Sequence, residues 1–291
     1  MLARRVIAVL CLWGCAWVHP AGAAVRVVAT IFPIADMVRQ VGRDAVEVQT
    51  LLPAGASPHT FEPTPAQMRA VADAAVFVEV GAGLDGWAAK LRAAHSGPML
   101  VITLTAGLPL LGAEQGHEGE GGDPHVWLDP VLVRDHLVPA IAGGLAQADA
   151  GRAPAYHAAA AEFQAALAQL DTDIRTTLAP ATQRGYIAFH AAWRYFGRRY
   201  GLQELAVVES FAGKEPSAYE IAALIERARR AHVRALLLEP QFSPRAAEQI
   251  AREINAQVVL VDPLGGPDLP ERTHYVELMR YNLAAFAKAL L

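Results

Sequence analysis

Two cysteines stand in a chain of 291 residues, and both, Cys11 and Cys15, fall within its first fifteen positions. The rest of the chain can form no disulfide, so a buried core must stabilise it. Lysine is nearly as scarce, with three residues, Lys90, Lys214 and Lys288, beside scattered arginines and a formal charge of −4. No basic run is long enough to follow a phosphate backbone, which argues against nucleic acid as a partner. After residue 23 no apolar run approaches the roughly 20 residues that a membrane-spanning helix needs. A Gly-x-x-x-x-Gly-Lys-Ser/Thr phosphate loop, a His-Glu-x-x-His helix and a Gly-x-Ser-x-Gly elbow are all missing. Those gaps remove the commonest signatures of nucleotide hydrolysis, zinc proteolysis and serine hydrolysis.

What the chain does have is apolar content. It is 53% hydrophobic and 19% charged, with a mean hydropathy of +0.23. Such a composition excludes a disordered chain, and the length suggests about two domains.

Residues 1–23 read as a signal peptide. Arg4 and Arg5 supply the positive start, Val6 to Val18 the apolar run, and Ala21-Gly22-Ala23 the small-residue cleavage site, leaving Ala24 first. Removal takes the charge from −4 to −6 and discards both cysteines. Leu12-Trp13-Gly14-Cys15 also has the outline of a lipoprotein box, with a bulky tryptophan where small residues are usual. Soluble export to the periplasm is the favoured expectation, ahead of a lipid anchor at Cys15.

Beyond the leader, short apolar runs alternate with helical patterns. Expected strands are Val25–Thr30, Val46–Leu52, Ala75–Val80, Leu100–Leu104, Tyr186–His190, Leu205–Glu209, Ala235–Glu239 and Val258–Val261. Near-continuous apolar strands, each followed by a turn and a helix, are the mark of buried parallel sheets in βαβ units. The expected fold is therefore α/β, with two similar lobes of four mostly parallel strands. Residues 24–150 form the first lobe, 151–180 a connecting helix and 181–291 the second lobe. Ala153 to Leu178 carries Ala159, Phe163, Ala166 and Leu170 at helical spacing with no glycine, predicting one stiff helix. Thr64-Pro65-Ala66-Gln67 and Ser217-Ala218-Tyr219-Glu220 have the form of capping boxes, and Asp129-Pro130 and Ser243-Pro244 mark further helix starts. Gly112 to Asp123 is acidic and glycine-rich, a solvated loop or a metal-collecting one through His117, Glu118 and Glu120.

Of ten histidines, His19 leaves with the leader. His95, His136, His157, His232 and His274 sit on surface-like stretches without a partner motif. His59, His125 and His190 differ, because each falls in a loop beside, or at the end of, an expected strand, as does Asp262. That edge is where open α/β sheets bind ligands. Three imidazoles and a carboxylate would complete the four-coordinate shell that Zn2+ prefers. Protonation would then limit binding below a pH of about 6.5. Spacing alone does not prove such a site, since separations of 65 to 72 residues match no compact zinc motif.

Five segments in register carry a resemblance. They are Pro58-His59-Thr60-Phe61-Glu62-Pro63, His125-Val126-Trp127-Leu128-Asp129-Pro130, and Phe189-His190 followed by Tyr195-Phe196 and Tyr200-Gly201-Leu202. Glu239-Pro240-Gln241-Phe242-Ser243 and Asp262-Pro263-Leu264-Gly265-Gly266 complete the set. In these the chain resembles the periplasmic zinc- and manganese-binding proteins of ABC-type metal importers, over nearly its whole mature length. The resemblance implies metal ligation at His59, His125, His190 and Asp262, in the cleft between two lobes joined by a long helix. It implies one Zn2+ per chain, with Mn2+ the alternative, and an inner-membrane permease with a separate ATPase as partners. A monomer is expected, and a metallochaperone could load it. Manganese-type members often hold a carboxylate at the His190 position, where this chain has imidazole. Zinc-type members often carry a long His-rich loop before the second ligand, whereas this one has His117 alone. Glu62 and Glu239, each next to a proline near a ligand loop, are candidates for orienting a ligand imidazole. An exported zinc hydrolase and a surface protein that merely contains metal are the competing readings.

Overall fold

The computed structural model describes residues 23–112, 122–209 and 217–291. The leader with Cys11 and Cys15, and the stretch containing His117, Glu118 and Glu120, lie outside the described residues.

In the first half β1 (Val25–Ala29) leads through α1 (Phe32–Gly42) to β2 (Val46–Thr50). Next come α2 (Pro65–Ala72), β3 (Val76–Glu79), α3 (Ala88–Ala93) and β4 (Leu100–Thr103). All pairings are parallel and the strand order is β2-β1-β3-β4. Strand β3 is buried at every residue, Glu79 included, because helices cover both faces of the sheet. A short α4 (Pro130–Leu132), a π turn at Val133–Leu137 and α5 (Val138–Ala148) then lead into α6 (Ala153–Leu178).

The second half repeats the plan. Strand β5 (Gly185–His190), α7 (Arg194–Tyr200), β6 (Gln203–Glu209) and α8 (Ala218–Arg230) come first. They are followed by β7 (Ala235–Leu238), α9 (Pro244–Ile254), β8 (Gln257–Leu260) and α10 (Tyr275–Leu290). The order β6-β5-β7-β8, again all parallel, matches the first sheet strand for strand. Each of the eight expected strands is present, shifted by at most two residues at either end.

Both capping boxes form, at Thr64 with Gln67 and at Ser217 with Glu220. Asp129 accepts from the amides of Val131 and Leu132 at the start of α4. Ser243 departs from expectation: α9 starts at Pro244, but the serine side chain makes no cap hydrogen bond. The fixed φ of a proline in the first turn starts that helix without it.

Helix α6 joins the halves, and 26 residues span roughly 39 Å at 1.5 Å each. It buries Tyr156, Phe163, Leu167, Leu170 and Ile174 in an apolar cluster that runs from Val27 of the first sheet to Phe286 of α10. Directional bonds add to that packing. The buried Asp36 of α1 accepts from the amide of Tyr275 at the start of α10 at 2.7 Å. Trp127 donates its indole N–H to the carbonyl of Pro263 at 2.8 Å, and the Tyr275 hydroxyl donates to the carbonyl of Trp127 at 2.7 Å. The carboxyl ends of the two sheets are thereby held facing one another.

Candidate metal centre

His59 lies in the loop between β2 and α2, and that loop is pinned from several sides. The Trp87 indole donates to the carbonyl of Pro58 at 2.9 Å, and the Phe61 ring packs edge-on against Trp87. Gln67, part of the α2 capping box, reaches back to the carbonyl of Leu51. His125 follows the second long loop of the first half, just before a short helical turn at Val126–Leu128. His190 is the last residue of β5, so the sheet itself aims it.

These three imidazoles converge. Nitrogens of His59, His125 and His190 all lie within 4.8 Å of one another. The ring centroids form a nearly equilateral triangle, with sides of 5.3, 4.9 and 4.9 Å. Nε2 of His59 and Nε2 of His125 stand 3.2 Å apart. Two nitrogens on a tetrahedral zinc, at about 2.05 Å from the ion, would be about 3.3–3.4 Å apart. The separation found needs almost no adjustment to hold that ion. Ser57, Pro58, Trp127, Gln241, Phe242 and Leu264 line the small pocket around the rings, which restricts access by water.

Carboxylates orient two of the rings. Nδ1 of His125 lies 2.7 Å from Oδ1 of the buried Asp123, which also accepts the His125 amide at 3.0 Å. A proton on Nδ1 leaves Nε2 as the lone-pair donor facing the other rings. Nδ1 of His190 lies 3.4 Å from Oε2 of Glu239, at the end of β7. Asp123 is in turn positioned by Tyr195 of α7, whose hydroxyl donates to the Asp123 carbonyl and accepts from the Leu111 amide, both at 2.9 Å.

Burial favours the neutral form of two of these rings. Burial, then repulsion from His125 and His190, pushes His59 down to about 2. His125 is lowered well below its ordinary value, by burial first and then by His190 and Arg194. Burial pushes Asp123 up to about 6, against the His125 amide and the charges of Arg194 and His190. His59 and His125 are thus held toward the neutral, lone-pair form.

Asp262 stands outside this cluster. It follows β8 and is buried, but it is not among the residues whose ligand atoms cluster. Its Oδ1 accepts from the amides of Leu264 and Gly265, both at 2.9 Å, and its Oδ2 from Arg272 at 3.0 Å. Its neighbours Pro263 and Leu264 line the pocket. Glu239 lines the pocket and contacts His190, as an orienting group would. Glu62 is exposed and does not line it. Sequence reasoning passed over Asp123, Trp87 and Arg272. Only Asp123 left a local signal, as an acid two residues before a candidate ligand.

Comparisons with known proteins identify the family. Residues 27–289 match the family model described as zinc-uptake complex component A, periplasmic. The chain is 30% identical to the high-affinity zinc uptake system protein ZnuA of Bacillus subtilis (strain 168), over 93% of this chain and 89% of the relative. It is 27% identical to a zinc-binding protein AdcA of Streptococcus pyogenes, over 89% of this chain but 55% of that longer relative. Among solved structures, a ZnuA deletion mutant with zinc bound superposes with a TM-score of 0.81 at 34% identity, covering 92% of this chain and 98% of the other.

Proposed function

The chain belongs to the family of periplasmic zinc-uptake complex component A proteins, and we propose that it captures one Zn2+ per chain and surrenders it to an ABC-type permease. The family is a transport component, and the reading as a zinc hydrolase falls away with that membership. Convergence of nitrogens from three imidazoles within 4.8 Å carries the proposal. Imidazole suits zinc, whereas manganese prefers carboxylate, carbonyl and water oxygens. With His190 in place of a carboxylate the donor set leans to zinc, as do the names of the relatives.

His59, His125 and His190 are the proposed ligands, with Asp262 as the fourth donor once it is drawn away from its present partners. Glu239 and Asp123 orient His190 and His125. Glu62, which is exposed, and His117, which lies outside the described residues, are the proposed accessory groups. The chain acts as an exported monomer, cleaved after Ala23, with a permease and a separate ATPase supplied by other chains and a metallochaperone as an additional source of the ion. No helix among the described residues is long and apolar enough to cross a membrane, which fits a membrane component supplied elsewhere. Release requires the two halves to shift on docking, since a site built from both is broken by a small displacement of either.

Zinc titration of the metal-stripped chain against a chromophoric chelator tests this reading. His59→Ala and His190→Ala should each weaken binding more than tenfold while leaving the far-ultraviolet circular dichroism unchanged. Unaltered affinity in both variants would overturn the site.

A further inference from the structure

We propose that Arg272 is a selectivity-determining residue, which holds the Asp262 carboxylate away from the imidazoles and so keeps the resting metal position an all-nitrogen one. The inference rests on the metal-site reading above and adds a residue that touches no metal.

Both oxygens of Asp262 are engaged. The amides of Leu264 and Gly265 take Oδ1, which leaves Oδ2 as the oxygen able to turn toward an ion. Arg272 donates to Oδ2 at 3.0 Å, in a pair where the carboxylate side chain is 2% exposed and the arginine 18%. A pair this sheltered is screened little by water, so the carboxylate leaves it only for a comparable cation. Arg272 is itself held. Its guanidinium lies over the Tyr281 ring, 4.7 Å from the centroid, and its carbonyl accepts from the Gly266 amide. Gly265 has φ +63°, and a Cβ there would come within 2.7 Å of the Arg272 carbonyl oxygen, so the turn after Asp262 closes tightly on the arginine. The Asp262 backbone is fixed by the fully buried Asn282, which accepts its amide and donates to its carbonyl.

An ion that draws in the carboxylate must therefore displace Arg272, a cost that weighs more on an ion dependent on oxygen than on one already held by three imidazoles. Zinc is better served by imidazole and manganese by oxygen, so the arginine penalises manganese more. Re-forming the Asp262–Arg272 pair also gives the carboxylate a partner when the ion departs, which favours release.

The test compares zinc and manganese affinities of Arg272→Met, Arg272→Lys and the wild-type chain, each also in an Asp262→Asn background. Arg272→Met should lower the zinc-to-manganese affinity ratio at least tenfold and slow zinc dissociation, and Arg272→Lys should restore most of the ratio. In the Asp262→Asn background the ratio should not respond to residue 272. If Arg272→Met does not fold, Tyr281→Leu, which removes the ring under the guanidinium, should shift the ratio the same way by less. An unchanged ratio, or the same change with Asp262 already replaced, overturns the inference. His190→Ala separates the two levels. If it loses zinc while Arg272→Met keeps the wild-type ratio, only the arginine's role falls, whereas retained zinc binding in His190→Ala removes the site itself.

Discussion

Oδ1 of Asp123 stands 2.7 Å from Nδ1 of His125 and also accepts the amide of that residue, so one buried carboxylate oxygen sets both the backbone and the ring of a proposed ligand. A ligand imidazole whose far nitrogen is so held presents a single tautomer to the ion. Loss of such a partner typically costs ten- to hundredfold in metal affinity. Asp123→Ala should weaken zinc binding by about that factor, read by chelator competition, and Asp123→Asn should lose less because its amide oxygen can still accept. Equal affinity in Asp123→Ala and wild type would show that the ring is oriented by packing alone.

Trp87 acts one step further out. Its indole bond to the carbonyl of Pro58 fixes the residue before His59. Trp87→Phe keeps most of the ring packing and deletes one hydrogen bond, worth about 1 kcal/mol net. Stopped-flow release of zinc to excess chelator should quicken about fivefold, with little change in the melting temperature of the metal-free chain. A melting change without a change in release would assign Trp87 to the core only.

Stability of the metal-free chain should depend on pH with a definite sign. His59 is lowered to about 2 and His125 is also lowered, so in the folded state both bind fewer protons than in the unfolded chain below about 6.5. Their contribution is complete above about pH 6.5 and is lost progressively as pH falls from there, by up to about 1.4 kcal/mol per pH unit for each ring. Asp123, raised to about 6, has the opposite sign between about 4 and 6, but one carboxylate does not outweigh two imidazoles. Denaturant melts should therefore show falling stability from pH 7 to 5. Zinc affinity of the folded chain should fall by much less than tenfold per pH unit between pH 7.5 and 5.5, because protons do not compete for His59 and His125 lowered this far and only Asp123, at about 6, titrates within the window. A tenfold loss of affinity per pH unit in that range would contradict the lowered values.

The base of the acidic loop is closed without its middle. The Asp123 amide donates to the Leu111 carbonyl at 2.8 Å, and the Tyr195 hydroxyl joins the same two residues. Replacing residues 113–121 by a short glycine-serine link should leave one zinc per chain at nearly wild-type affinity. A drop in stoichiometry or affinity would give His117 and its acidic neighbours a binding role.

Much of this was legible in the chain because it is local. Helix α6 runs from Ala153 to Leu178 as its uninterrupted apolar spacing predicted, and the strands follow their apolar runs. The three histidines could be singled out by their positions at strand ends, while their choice as ligands came from resemblance, since spacing alone matched no compact motif. The rest was hidden because it is made by residues far apart in sequence. Trp87 meets Pro58 across 29 positions and Trp127 meets Pro263 across 136, with nothing in either local segment to announce the pairing. Asp262 shows the same limit: its place after β8 was readable, but its engagement with Leu264, Gly265 and Arg272 was not. The lowering of His59 and His125 was hidden for the same reason, because burial and mutual repulsion appear only once the fold has assembled them.

The most direct test is the metal content of the chain from Ala24 to Leu291, stripped of metal and then dialysed to equilibrium against buffered Zn2+ and Mn2+ together. Elemental analysis should find about one zinc per chain and little manganese. A majority of manganese, or no bound metal at all, would contradict a zinc site built from His59, His125 and His190.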